Sequence, residues 1–173
     1  MTSKVRVMLS EEQVDLRIKE LAQQISEDYS GKSVHLICIL KGSVFFSCEL
    51  AKRLTIPATL DFMSVSSYGS ETVSSGRVRI LKDLDESIQG KNVIIIEDII
   101  DSGRTLSYLR DLLAARAPES LAICTLLDKP DRREINVEVN YVGFAIPDEF
   151  VVGYGLDYNQ YYRNLPYVGV VEQ

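Results

Sequence analysis

The sequence predicts an α/β fold built on a parallel sheet, and three observations carry that expectation. The runs VHLICIL (34–40), VIIIE (93–97) and SLAICTLL (120–127) are almost continuously apolar, as strands buried on both faces are. Stretches of helical periodicity alternate with them. A strand, a helix and a second strand in that order form a βαβ unit, which implies parallel pairing through a right-handed crossover.

Ser10 with Gln13 forms a capping box, and Val14, Ile18, Leu21 and Ile25 follow on one face, predicting an amphipathic helix from Glu11 to about Tyr29. Gly31 ends it. The strand 34–40 is broken by Lys41-Gly42-Ser43, and a second helix, about Val44 to Leu54, leads to the strand ATLDFMSVSSY (58–68). YGSETVSSG (68–76) is a long polar loop; a plain hairpin connection and a binding lid fit it equally. RVRILKDL (77–84) reads as a strand, Gly90 as a turn, and KNVIIIED (91–98) as the clearest strand in the chain. IIDSGRTL (99–106) turns into a helix with Leu106, Leu109, Leu112 and Leu113 inward, closed at Ala117-Pro118. Strands are expected at 120–127, 139–146 and 167–173, with FVVGYGLDYNQYYRN (150–164) before the last. The sequence shows no repeat, low-complexity tract or linker. The two chain ends are expected to fold back as a small cap on a single domain spanning 1–173.

Composition narrows the function. A chain of 173 residues that is 46% hydrophobic can bury a core. Its net charge of −6 gives no general attraction for nucleic acid or an anionic membrane, so a phosphate ligand must be held by a local site. The amino-terminal residues show no signal-peptide pattern, and no apolar stretch is long enough to span a bilayer. Cys38, Cys48 and Cys124 form no CxxC pair and read as buried, reduced thiols of a cytoplasmic protein. The single histidine, His35, opens an apolar run and reads as structural, and with no cysteine cluster beside it a zinc site is not expected.

In an open parallel sheet, ligands bind beyond the carboxyl ends of the strands. The strand VIIIE therefore aims Glu97-Asp98-Ile99-Ile100-Asp101-Ser102-Gly103-Arg104-Thr105 at the site. Asp101 or Ser102 can cap the next helix, whose free N–H groups favour phosphate. Gly103 lets the backbone approach an anion, and Ser102 and Thr105 add hydroxyls. Glu97 and Asp98 can accept from ribose hydroxyls or hold a hard cation. A phosphate cradle beside a sugar or metal grip suits a ribose 5-phosphate. The string fits neither a Walker P-loop nor a dinucleotide-binding GxGxxG.

IIIEDIIDSGRTL resembles the phosphoribosyl-pyrophosphate motif of the type I phosphoribosyltransferases, and its Glu-Asp-Ile-Ile-Asp form is similar to that of the hypoxanthine-guanine branch. LKGS (40–43) resembles the family's pyrophosphate loop, with Lys41 and Gly42 in place and Ser43 where LKGG is frequent. SSYGSET (66–72) resembles the lid, which would place Ser67 and Tyr68 over the reactants. Lys129 matches the lysine that reads the purine's exocyclic oxygen. In 150–163, Phe150 would stack on the base, Val151 would meet it through backbone, Asp157 would sit near base and metal, and Arg163 would bind pyrophosphate.

The resemblance implies a central parallel sheet flanked by helices, with a hood formed by the chain ends. It implies Mg²⁺ and transfer of a phosphoribosyl group from phosphoribosyl pyrophosphate to a purine base, hypoxanthine or guanine, giving a nucleoside monophosphate and pyrophosphate. Substrate contacts would come from Lys41, Gly42, Glu97, Asp98, Asp101, Ser102, Gly103, Arg104, Thr105, Lys129, Phe150, Val151, Asp157 and Arg163. Metal would be held by Glu97, Asp98 and Asp157, and Asp101 would be the general base. A homodimer or homotetramer is implied. The rivals are a xanthine- or pyrimidine-directed transferase, a related regulator that binds RNA or a nucleotide effector, and a nucleotide-binding module without turnover.

Overall fold

The computed structural model describes residues 4–67 and 78–172. Its strands and helices are β1 (Lys4–Leu9), α1 (Glu11–Asp28), β2 (Val34–Leu40), α2 (Val44–Arg53), β3 (Ala58–Ser67), β4 (Val78–Lys82), β5 (Asn92–Ile100), α3 (Arg104–Ala114), β6 (Ser120–Asp128), β7 (Tyr141–Ala145), β8 (Val151–Val152) and β9 (Val168–Glu172). A 3₁₀ turn occupies Pro130–Arg132.

Six strands form the main sheet in the order β4-β3-β2-β5-β6-β7. All neighbours pair in parallel except β4, which lies antiparallel to β3 at the edge. The period-two alternation of β5 divides the core. Ile94 and Ile96 face α1 and α2, together with Val14, Ile18, Leu21, Phe46 and Leu50. Val93 and Ile95 face α3, together with Leu106, Leu109 and Leu113. Leu112 packs against this second core from a partly buried position. Helix α1 starts as the sequence predicts: Ser10 Oγ accepts from Gln13 N–H at 3.2 Å, and the Gln13 side chain accepts from Ser10 N–H at 2.8 Å.

The chain ends form the expected cap. Strands β1, β9 and β8 make a three-stranded antiparallel sheet in which Lys4 pairs with Glu172 and Val151 with Val170. Val151, Val168 and Val170 join the α1–α2 core, so the hood is seated on the same apolar layer as the main sheet.

Several expectations need correction. Strand β5 runs on to Ile100, because Ile99 and Ile100 pair with Leu127 and Asp128 of β6. Helix α3 therefore starts later, at Arg104. Its N-cap is Gly103, at φ +84°, and neither Asp101 nor Ser102. Of the cysteines, Cys38 and Cys124 are buried but Cys48 is exposed. His35 is structural as expected: it is buried, and its Nδ1 pairs with Thr59 Oγ1 at 2.6 Å. The loop 68–76 and Tyr68 lie outside the described residues. No helix among the described residues is long and apolar enough to cross a membrane.

Candidate active site

The carboxyl end of β5 opens into a cleft of about 260 Å³ lined by Glu97, Asp98, Asp101, Ser102, Gly103 and Thr105, with apolar flooring from Leu106 and Leu109. The first intrahelical bond of α3 runs from Ser107 N–H to the Gly103 carbonyl at 2.9 Å. The N–H groups before it have no helical partner, which makes this terminus attractive to an anion. Ser102 Oγ takes one of them, accepting from Arg104 N–H at 3.3 Å.

The turn is strapped from outside by a segment that local sequence does not reveal. Glu134 N–H and Ile135 N–H both donate to the Ser102 carbonyl, at 2.9 and 3.0 Å. Arg133 Nε donates to the Asp101 carbonyl at 3.1 Å, and its guanidinium also binds Asp128 at the end of β6. Arg104 is tied to Glu134 and so belongs to this strap.

Glu97 and Asp98 carry the site's unusual electrostatics. Asp98 Oδ1 accepts from Ile99 N–H at 2.7 Å. Burial pushes the Glu97 carboxyl well above the usual carboxylate range, and the neighbouring Asp98 pushes it further. Burial also raises Asp98, to about 6, against the pull of the Ile99 N–H and the Arg163 charge. Two acids held close together, desolvated and short of positive charge, are a fit for a hard cation. No group of three or more metal-capable side chains occurs among the described residues, so Glu97, Asp98 and Asp157 do not close into one cage. Mg²⁺ commonly takes one or two carboxylates and completes its shell with water and substrate phosphate. The pair suits that mode.

Lys41 and Gly42 stand beside the acids, after a cis peptide between Leu40 and Lys41. A Cβ placed on Gly42 would lie 1.8 Å from Asp98 Oδ2, and one on Gly155 would lie 1.9 Å from the Gly42 carbonyl. Only glycines allow these three segments to stack. A second hollow, lined by Lys41, Val44, Gln160, Tyr161 and Arg163, continues from there. Gln160 Oε1 accepts from Lys41 Nζ at 3.2 Å and from Arg163 at 3.1 Å, gathering two cations on one oxygen. Arg163 also donates to the Gly155 carbonyl at 2.6 Å and pairs with Asp157 at 3.4 Å, while its buried Nε has no partner. Gln160 and Asp148 are the residues sequence reasoning passed over. Gln160 lay inside a quoted segment but carries no charge to draw notice.

Lys129 follows β6 and is 9% exposed. Its ammonium lies 3.9 Å from Asp101 and 3.8 Å from Asp148. Asp148 stands two residues before Phe150, which brings the hood segment to the end of β6. Phe150 is 53% exposed, with its ring edge-on to Tyr158 at a centroid distance of 5.6 Å. Val151 is buried in β8. Ser67 is the last residue of β3.

A glycine turn with open backbone N–H groups after a central parallel strand, an acid pair beside it and Lys41 and Arg163 facing them are the features of an α/β protein that handles nucleotides or sugar phosphates. The model of the phosphoribosyl transferase domain matches residues 8–159, and the chain belongs to that family. It is 57% identical over 169 residues to a protein of Salmonella typhimurium named hypoxanthine phosphoribosyltransferase, covering 96% of this chain and 95% of that one. It is 52% identical to a hypoxanthine-guanine phosphoribosyltransferase of Streptococcus thermophilus, covering 97% and 93%. The crystal structure of a hypoxanthine-guanine phosphoribosyltransferase from Bacillus anthracis superposes with a TM-score of 0.95 at 48% identity, covering 99% of this chain and 100% of that one.

Proposed function

We propose that this chain transfers the 5-phosphoribosyl group from phosphoribosyl pyrophosphate to hypoxanthine and guanine, giving IMP or GMP and pyrophosphate in purine salvage. The observation that carries the reading is the Glu97–Asp98 pair, desolvated beside the anion-binding turn, with the Gly42 backbone packed on Asp98. The turn 101–105 holds the 5-phosphate through backbone N–H groups and the hydroxyls of Ser102 and Thr105. Arg104 contributes backbone there, since its side chain is tied to Glu134. Glu97 and Asp98 orient the ribose hydroxyls. Lys41, the Gly42 backbone and Arg163 hold the pyrophosphate as it leaves.

Bound Mg²⁺, held by Glu97 or Asp98 and near Asp157, would neutralise the leaving group. Asp101 takes the proton from the imidazole ring of the purine as that ring attacks the sugar carbon. Lys129 donates to the carbonyl at position six of the base; an ammonium cannot accept from an amino group, so adenine is rejected. Phe150 stacks on the base and the Val151 backbone meets its edge. The segment around Ser67 and Tyr68 closes over the reactants and excludes water. The protein acts in the cytoplasm as a single-domain subunit of a homodimer or homotetramer.

The test is pyrophosphate release from phosphoribosyl pyrophosphate and Mg²⁺ with hypoxanthine, guanine, xanthine, adenine or uracil. Turnover with hypoxanthine or guanine and none with adenine is expected. Turnover with xanthine or uracil alone would move the base assignment, and none with any base would overturn the enzyme reading.

A further inference from the structure

We propose that Ser43 is a positioning residue for the pyrophosphate loop, fastening the two ends of the Lys41–Gly42 turn behind the anion site. The proposal rests on the loop's role given above. Ser43 is fully buried, with no surface toward the cleft. Its N–H and its Oγ both reach back to the Ile39 carbonyl, at 3.3 and 2.8 Å, closing residues 39–43 into a ring.

Proton counting fixes the rest of the network. A serine hydroxyl has one hydrogen and two lone pairs. Ser43 spends its hydrogen on Ile39. Cys38 Sγ at 3.2 Å and Ser47 Oγ at 3.4 Å must therefore donate to it. Burial pushes the Cys38 thiol up, so it keeps the proton that this bond needs. Ser43 Oγ thus gives one bond and takes two, and the carboxyl end of β2 is joined to the first turn of α2 through one atom.

What the ring controls is the placement of Gly42. That residue has Asp98 on one side and Gly155 on the other, with no side-chain space to spare. A shift of a few tenths of an ångström in the 39–43 turn must move the Gly42 N–H and the root of Lys41 against both. Alanine at 43 removes the clamp on Ile39 and leaves two buried donors without an acceptor.

The experiment compares the full-length protein with its Ser43→Ala, Ser43→Cys and Ser47→Ala variants. It reads pyrophosphate binding by calorimetry in Mg²⁺ buffer, KM for each substrate, and thermal unfolding. For Ser43→Ala, pyrophosphate binding should weaken and KM for phosphoribosyl pyrophosphate should rise, each about five- to tenfold, with KM for the base unmoved. Ser43→Cys keeps a donor and should recover part of the loss; if Ser43→Ala does not fold, this variant carries the test at about two- to threefold. Ser47→Ala deletes a neighbouring buried hydroxyl but not the clamp. It should lose thermal stability and keep its pyrophosphate affinity. Unchanged affinity in the Ser43 variants, or an equal loss in Ser47→Ala, would overturn the positioning role. Wild-type protein that binds no pyrophosphate would instead overturn the proposed function, and this inference with it.

Discussion

Two strand acids of this molecule teach opposite lessons. Asp61, in β3, is 3% exposed, and its carboxylate accepts from three backbone N–H groups: Phe62 at 2.8 Å, Asp85 at 2.9 Å and Glu86 at 3.2 Å. Asp98, in β5, accepts from one neighbouring N–H at 2.7 Å and shares its surroundings with Glu97. Both sit in apolar strand sequence. The first is a structural knot, its charge spread over donors that the fold supplies. The second leaves charge unanswered, which is how a protein keeps a place for a cation or a hydroxyl-rich ligand. Partners and exposure both separate the two: Asp61 is sealed among backbone donors, whereas Asp98 keeps part of its surface toward the cleft.

The contrast between site and scaffold is tested most strongly at Asp101, which lies among the site acids but is half-exposed, its carboxylate paired with Lys129 only at a long 3.9 Å. Asp101→Asn should lower kcat about 100- to 10,000-fold with an unchanged melting temperature. Wild-type turnover would remove Asp101 from the role of base. At the other pole, Asp61→Ala strands three backbone donors and should cost about 3 kcal/mol of stability. Denaturant unfolding measures it, and kcat per folded molecule should hold. If activity fell while stability did not, the two acids would have to change places.

The smallest effect concerns pH. Asp98 has a folded pKa of about 6, above its unfolded value of about 4. The folded state therefore binds more protons in that window. The contribution of Asp98 to stability is fully present below pH 4 and is lost as pH rises through 6. Glu97 acts in the same direction. Subtracting the pH–stability curve of ligand-free Asp98→Asn from that of wild type should leave a difference that declines across this range. A flat difference would mean that the pair is not desolvated. Pairs such as Asp83 with Arg116 and Glu49 with Arg53 run the other way, because their arginines lower the acids, and they cancel in the subtraction.

Much of this was legible in the residues. The apolar run 93–97 and the capping box at Ser10 are local signals with local causes, and both elements stand where the pattern puts them. The end of β5 was not legible. Ile99 and Ile100 suit a helix as well as a strand, and only pairing with β6 decides between them. The same holds for the Ser102 carbonyl, whose two donors come from residues 134 and 135. The cleft's acids and glycine turn were readable as chemistry in order along the chain. Its supports, Arg133, Asp148 and Gln160, come from remote segments and have no spacing of their own to announce them.

The stack of Gly42, Asp98 and Gly155 bears on how this surface can vary over generations. A side chain at 42 would have to displace the Asp98 carboxylate, and one at 155 would run into the Gly42 carbonyl, so this end of the cleft is closed to gradual change. The end occupied by Lys129 and Phe150 is bounded by side chains and partly open to solvent, and it can be recast one residue at a time. On the proposed assignment of the two ends, a lineage built on this scaffold is free to change the base it selects long before it can change the way it handles the sugar phosphate.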